Sequence, residues 1–348
     1  MVVSPVLHRP GLTIGISLRD GCFTTVLFAC PPSTADMAYI PRSWCVRTSG
    51  LTLEGGVVVD VSRVHVFGDW HGSALWACSL ISALPAGSLA VHVGDFGFWP
   101  GSSGQRFLAD VSDAAVAADV ILLVVRGNHD DADFSAACPP ADVPGVSTSG
   151  FAYAAPNVFV CHGPATAVLS GFSAAFLPGA VSPDRVWRTP GVSFWEDECF
   201  TPAQVASLSR ADLFFTHESP SSVDMSAFEL QGFSIPGDVL EDMVASRELL
   251  TDAFTRVRPM LAVHGHWHVG CLARVRTAPS VNDDTALVVG LANEFEVFNH
   301  ALLDLSGARP QVVFPGAGVR LVDESFLSSR AWRLSSASIS SQAFTDLG

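Results

Sequence analysis

The chain has 348 residues with 19 basic and 34 acidic side chains, a formal net charge of -15, and 49% apolar residues. Charged residues make up only 15%, against about 25% in ordinary globular proteins, which excludes a globally disordered chain. All basic residues are arginine and none is lysine; the acidic balance argues against a broad nucleic-acid surface, which needs many phosphate-neutralising side chains.

Residues 1–61 are expected to form an N-terminal extension of unassigned role. Its short β-like runs, Leu12 to Leu18 and Phe23 to Ala29, are consistent with a hairpin or a loose extension. From Val61 the pattern is α/β. Val64 to Phe67 reads as a strand ending at Gly68. Leu75, Cys78, Ile81 and Leu84 recur at three-residue spacing, which predicts a helix with one apolar face. Leu89 to Val93 is a second strand, ending at Gly94. Phe107 to Val120 reads as helix, and Val120 to Val125 as a third strand ending at Gly127. Strands alternating with helices imply parallel pairing. Short strands are expected at Val158 to Cys161 and Ala174 to Leu177. Thr201-Pro202-Ala203-Gln204 opens a helix with a capping box and proline in its first turn. Leu213 to Thr216 is a strand, Pro236 to Val257 contains a long helix, and Met260 to Val263 is a strand. Val269 to Arg276, Ala286 to Leu291, Glu296 to Leu303 and Val312 to Phe314 form a late run of strands. Residues 316–348, Ser-rich, are expected to be a loose tail.

No apolar run approaches the 18 or so residues needed to span a membrane. The eight cysteines contain no C-x-x-C pair, so reduced, mostly buried thiols are expected. No charged segment followed by a long apolar core opens the chain, so a cytoplasmic protein is expected.

Chemistry concentrates at strand ends. The segments are Gly68-Asp69-Trp70-His71, Gly94-Asp95, Gly127-Asn128-His129-Asp130, Thr216-His217-Glu218 and His264-Gly265-His266-Trp267-His268. In open α/β sheets, ligands sit beyond the carboxyl ends of strands. Five strand ends thus present Asp, His, Asp, Asn, His, His and His to one rim. Any one fragment is a common turn; the conjunction is not.

These segments, in this order, resemble the calcineurin-like metallophosphoesterases, whose pattern is D-x-H, G-D, G-N-H-[D/E], H and G-H-x-H. The resemblance covers about Ser62 to Phe314, with residues 62–315 as the catalytic domain. It implies a four-layer α-β-β-α sandwich of two mixed sheets and a pair of divalent metal ions. Asp69, His71, Asp95 and His268 would hold one ion. Asp95, Asn128, His217 and His266 would hold the other. Mixed nitrogen and oxygen ligation suits manganese, the first choice, or iron, zinc or nickel. The implied function is phosphomonoester or phosphodiester hydrolysis by a metal-bridging hydroxide. His129 would act on the leaving oxygen, with Asp130 either holding its ring or simply capping a helix. His162 is the replacement if His217 does not reach the site, and His264 is expected to be packed.

The insertion 171–200 carries Arg185 and Arg188, which are candidates for binding the substrate phosphate. The alternative is that they pair with Glu196, Asp197 or Glu198 and fix the loop. The insertion is similar to that of metallophosphoesterases from actinobacteria and their phages, whose host cytoplasm would then be the location. Gly94-Asp95-Phe96-Gly97 lacks the Asp-Arg pair of the Ser/Thr phosphatases of this superfamily, which weighs against protein-phosphatase activity. Rival readings are a catalytically silent binding platform and a nuclease acting on short or single-stranded substrates.

Overall fold

The computed structural model describes residues 12–19, 22–29, 59–223, 235–277, 285–315, 319–321 and 332–333. The chain divides into two units, Met1–Glu54 and Gly55–Gly348. In the first, β1 (Leu12–Arg19) and β2 (Cys22–Ala29) form an antiparallel hairpin.

The second unit opens with β3 (Asp60–Phe67), α1 (Ala74–Ser82), β4 (Ser88–His92), α2 (Gly101–Ala118), β5 (Ile121–Val125) and α3 (Ala132–Ala137). Every residue of β4 and β5 is buried. The apolar runs Leu89–Val91 of β4 and Ile121–Val125 of β5 are the composition of strands covered on both faces. Five short strands follow: β6 (Ser147–Ser149), β7 (Ala152–Ala155), β8 (Val158–Cys161), β9 (Ala165–Leu169) and β10 (Phe172–Leu177). Then come α4 (Pro202–Ser207), β11 (Leu213–Thr216), α5 (Gly237–Val257) and β12 (Leu261–His264). The chain continues through β13 (Cys271–Arg276), β14 (Thr285–Gly290), β15 (His300–Asp304) and β16 (Gln311–Phe314). Two short strands close it, β17 (Val319–Leu321) and β18 (Trp332–Arg333).

The strands form two eight-stranded mixed sheets, ordered β17-β16-β15-β3-β4-β5-β8-β7 and β18-β13-β14-β12-β11-β10-β9-β6. The run β3, β4, β5, β8 is parallel, as is the run β10, β11, β12, β14. Parallel strands deliver their carboxyl ends to one edge of a sheet, which is where the motif residues lie.

Alternation along the strands builds the layers. Val91 and Leu123 of the first sheet meet Phe176, Phe215 and Val263 of the second in a central core. Their neighbours Ala90, Leu122 and Val124 face outward onto Ile81 of α1 and Phe107, Val111 and Ala115 of α2. On the other side Phe214, Ala262 and Val288 face Leu250, Ala253 and Phe254 of α5 and Val205 of α4. Phe214 and Phe254 meet at 5.3 Å between ring centroids; burying such a ring contributes about 1.5–3 kcal/mol. The architecture is the expected α-β-β-α sandwich of two mixed sheets.

Three local expectations need correction. Leu75 is 83% exposed; Ile81 of the expected face is buried, and Ala77 is buried beside it. The three-residue recurrence rotates away from the 3.6-residue period over the length of the helix, so its two ends cannot share one face. Helix α2 begins six residues before Phe107, straight after Pro100, and ends at Ala118. The region 316–348 is not uniformly a tail: β17 pairs with β16, and β18 with β13. Among the described residues, no helix is long and apolar enough to cross a membrane.

Candidate metal centre

Asp69 and His71 follow β3, Asp95 follows β4, Asn128 follows β5, His217 follows β11, and His266 and His268 follow β12. All seven converge. Asp69, His71, Asp95 and His268 form one cluster with metal-ligating geometry; Asp95, His217 and His266 form a second. Asp95 belongs to both. Within the first, His71 Nε2 lies 3.4 Å from Asp95 Oδ2 and His268 Nε2 lies 3.1 Å from Asp69 Oδ2. Within the second, His217 Nε2 lies 3.3 Å from Asp95 Oδ1. Asn128 joins it, its Oδ1 2.8 Å from the same His217 Nε2. Asp69, Asp95, Asn128 and His217 are fully buried, whereas the His268 side chain is 44% exposed, which sets the open side of the centre.

Local backbone geometry aims these groups. His71, Asp95, His266 and His268 all have positive φ, between 43° and 68°. That conformation is uncommon for residues other than glycine, and it clusters at functional sites held by their surroundings. Gly127 and Gly265 are required by close approach rather than by turn geometry. A Cβ on Gly127 would collide with the Asp95 carboxylate, and one on Gly265 with Asp69 Oδ1. Gly127 thus leaves room for the carboxylate that follows the adjacent β4, and Gly265 for the one that follows β3 of the other sheet.

The polar groups fit divalent cations. Asp95 Oδ1 accepts the His129 backbone N–H at 2.8 Å, while the buried Asp95 Oδ2 has only longer contacts, to His71 Nε2 at 3.4 Å and His129 Nε2 at 3.9 Å. A buried carboxylate oxygen in that state is costly unless a cation meets it. His217 Nδ1 lies 2.8 Å from the Val93 carbonyl, so Nδ1 donates there and Nε2 is left facing Asn128 Oδ1 and Asp95. Burial alone would lower the His71 imidazole, but hydrogen bonds to Asp95 and Glu294 and the charges of Asp95 and Asp69 raise it to about 11. His217 is likewise raised to about 9, burial being outweighed by Asp95 and Asp69. The acidic cluster therefore holds protons on these two rings, and a metal ion would displace them.

Four residues that sequence reasoning missed hold the candidate ligands in place. Glu294 accepts from His71 Nδ1 at 3.0 Å, turning Nε2 toward Asp95. Glu218 lies 3.8 Å from His266 Nε2 and accepts the Trp267 indole N–H at 2.8 Å. Ser182 accepts from Asn128 Nδ2 at 2.8 Å, and Glu198 accepts from Ser182. Carboxylates or an amide partner beside each ligand are usual for metal sites. Glu294 and Glu218 carried a usable signal, since each follows a strand of the same sheet. Ser182 and Glu198 carried none.

Asp130 takes neither expected role. Its carboxylate accepts the backbone N–H groups of Phe96, Gly97, Phe98 and Gly127, so it staples the loop after β4 to the loop after β5. The helix that follows is capped by Asp131 instead, which accepts from Phe134 N. His129 lies at the centre, its Nε2 3.9 Å from Asp95 Oδ2 and its ring edge-on to His71. Burial and the Arg188 guanidinium lower it to about 4, against Asp95, so it is not poised as the imidazolium that an Asp130 contact was expected to favour.

The two arginines of the insertion separate. Arg188 reaches the centre, contacting His129 Nε2 and pairing with Asp184 at 2.6 Å. Arg185 points away and pairs with Asp242 at 2.6 Å and Asp238 at 3.7 Å, both on α5. Neither pairs with the acidic run 196–198, because Glu198 is directed inward at Ser182. His162 meets Ser135 Oγ and is not at the centre. His264 is buried with Nδ1 on the Gly265 carbonyl, a packed residue as expected.

No family model matches the chain, and no curated protein does. Among solved structures, the chain is similar to purple acid phosphatase PPD1 from yellow lupin (Lupinus luteus) seeds, at 15% identity and a TM-score of 0.36. That alignment covers 73% of this chain and 50% of the lupin chain. It is also similar to a 5'-nucleotidase precursor from Thermus thermophilus, at 14% identity and a TM-score of 0.36, covering 78% of this chain and 54% of the other. The chain thus spans about half the length of each. Likeness at this level carries no argument about function, which has to rest on the site.

Proposed function

We infer that the chain is a metal-dependent phosphoesterase of the calcineurin-like type, acting on phosphomonoesters or phosphodiesters. The observation that carries this reading is the sharing of one buried carboxylate, Asp95, between two clusters built from four strand ends, with Asn128 joining from a fifth. Such an arrangement suits two divalent ions, with manganese the first choice and iron, zinc or nickel the alternatives. Ions held there would lower the pKa of a bound water and neutralise phosphoryl oxygens.

The chain's own groups divide the remaining work. Asp69, His71 and His268 hold one side of Asp95, and Asn128, His217 and His266 the other. Arg188 stands on the open side beside His129, where a guanidinium can grip two phosphoryl oxygens. His129, held neutral by burial, can hydrogen-bond the leaving oxygen as that oxygen gains charge. Arg185, tied to α5, is left out. The reading includes a cytoplasmic setting, supported by cysteine usage; the five cysteines with described side chains are free.

The test is hydrolysis of p-nitrophenyl phosphate and bis-p-nitrophenyl phosphate with manganese, iron, zinc or nickel. Turnover should require metal, stop on chelation and fall at least about 100-fold in Asp95→Asn. Lack of metal-dependent turnover on both substrates and on a wider ester panel contradicts the reading.

A further inference from the structure

Residues 179–198 lie across the loop that follows β5, and they make four contacts with its residues Arg126, Asn128 and His129. The Gly179 N–H donates to the Arg126 carbonyl at 2.8 Å, and the Arg126 guanidinium donates to the Asp197 carbonyl at 2.8 Å. Asn128 Nδ2 donates to Ser182 Oγ at 2.8 Å, and Arg188 contacts His129. Arg126, Asn128 and Ser182 are buried, as is Glu198 beside Ser182.

Burial pushes the Glu198 carboxyl up to about 7, so above that pH it is ionised and the proton count along this chain of contacts is determinate. Ser182 has two donors, its backbone N–H and its hydroxyl. Glu198 takes both, Oε1 from the N–H at 2.8 Å and Oε2 from the hydroxyl at 2.5 Å. The Ser182 oxygen is then left only with lone pairs, so it can accept from Asn128 but not donate to it. Asn128 must present its NH2 to Ser182 and its carbonyl oxygen to the metal centre, where Oδ1 lies 2.8 Å from His217 Nε2. The opposite amide orientation would point two N–H donors at a cation and could not ligate it.

We propose that Ser182 and Glu198 are positioning residues for Asn128, and that the insertion between β10 and α4 thereby completes the second metal site. The proposal rests on the reading that Asn128 is a metal ligand. Glu198 acts at one remove: it consumes the Ser182 proton that would otherwise be free to turn toward Asn128 Oδ1. Glutamine at 198 offers one acceptor oxygen and a competing NH2, and so releases that proton.

The experiment is a cobalt(II) and manganese(II) titration of the full chain by calorimetry, resolved into two sites, for the wild type, Glu198→Gln, Ser182→Ala and the double variant. The wild type should bind two ions. In Glu198→Gln and in Ser182→Ala one site should weaken about 10–100-fold, the other should hold, and the melting temperature of the metal-free chain should stay within about 3 °C. The double variant should be no weaker than Ser182→Ala, because Glu198 works through Ser182. Two unchanged sites in both single variants overturn the proposal, as does equal weakening of both sites with a lowered melting temperature, which would mark a general structural role. A wild-type chain that binds fewer than two ions overturns the binuclear reading itself, a result distinct from either.

Discussion

Arg185 and Arg188 stand three residues apart in the sequence and serve different ends, which a string of residues cannot reveal. Arg188 is held by Asp184 against His129, and Arg185 is spent on the half-exposed Asp242. A charge-assisted contact to a phosphoryl group is worth about 1.5–3 kcal/mol, whereas an exposed ion pair contributes at most about 1 kcal/mol. Arg188→Gln should therefore lower kcat/KM about 10–100-fold, with Arg185→Gln changing it less than about threefold. Equal effects in steady-state kinetics would contradict the placement of Arg188 on the substrate side. A second residue-scale effect lies far from the metals. His65 Nδ1 and His300 Nε2 meet at 3.0 Å between β3 and β15. Burial pushes His65 down to about 4 and His300 to about 3. The unfolded chain takes up these protons near pH 6.5 and the folded chain does not. The pair's contribution is therefore complete above pH 6.5 and is lost as pH falls toward 4. For the buried His65 the loss is about 2 kcal/mol by pH 5. Urea unfolding at pH 7 and pH 5 should show a smaller drop in a His65→Phe/His300→Phe double variant than in the wild type. An identical drop would place the acid sensitivity elsewhere.

At the scale of elements, the glycines ending the strands were visible in the sequence, but their reason was not. The motif order picked out seven residues that converge in the fold because strand ends, glycines and histidines are all local signals. The close approach of Asp95 to Gly127 is a contact between neighbouring strands, and no local signal carries it. Gly127→Ala should displace the Asp95 carboxylate and weaken both metal sites in a cobalt titration, at an unfolding cost of about 1–3 kcal/mol for overpacking. Full retention of both sites would show that the loop yields without moving Asp95. The same divide between local and tertiary signals explains the other departures. Asp130 follows a histidine in the sequence, yet its acceptors are filled by amides from two loops. Ser182 and Glu198 sit 54 and 70 positions after Asn128 in a stretch without periodicity. The capping box at Thr201 and Gln204, by contrast, is a four-residue signal and formed as read.

Across the whole molecule, the layering follows from strand alternation, with one face of each sheet in the shared core and the other under helices. Both sheets direct parallel strand ends to one centre, and that convergence makes a single carboxylate common to two clusters. The net charge of -15 remains an argument against a broad basic surface, but not against a phosphate substrate, because cations held at the centre would supply positive charge locally. The central claim is that Asp95 belongs to two metal sites at once, and metal content measures it most directly. Purified wild-type chain loaded with manganese and freed of excess should retain two ions per chain by elemental analysis, and Asp95→Asn should retain neither tightly. Two ions retained by Asp95→Asn, or no more than one by the wild type, would contradict the account.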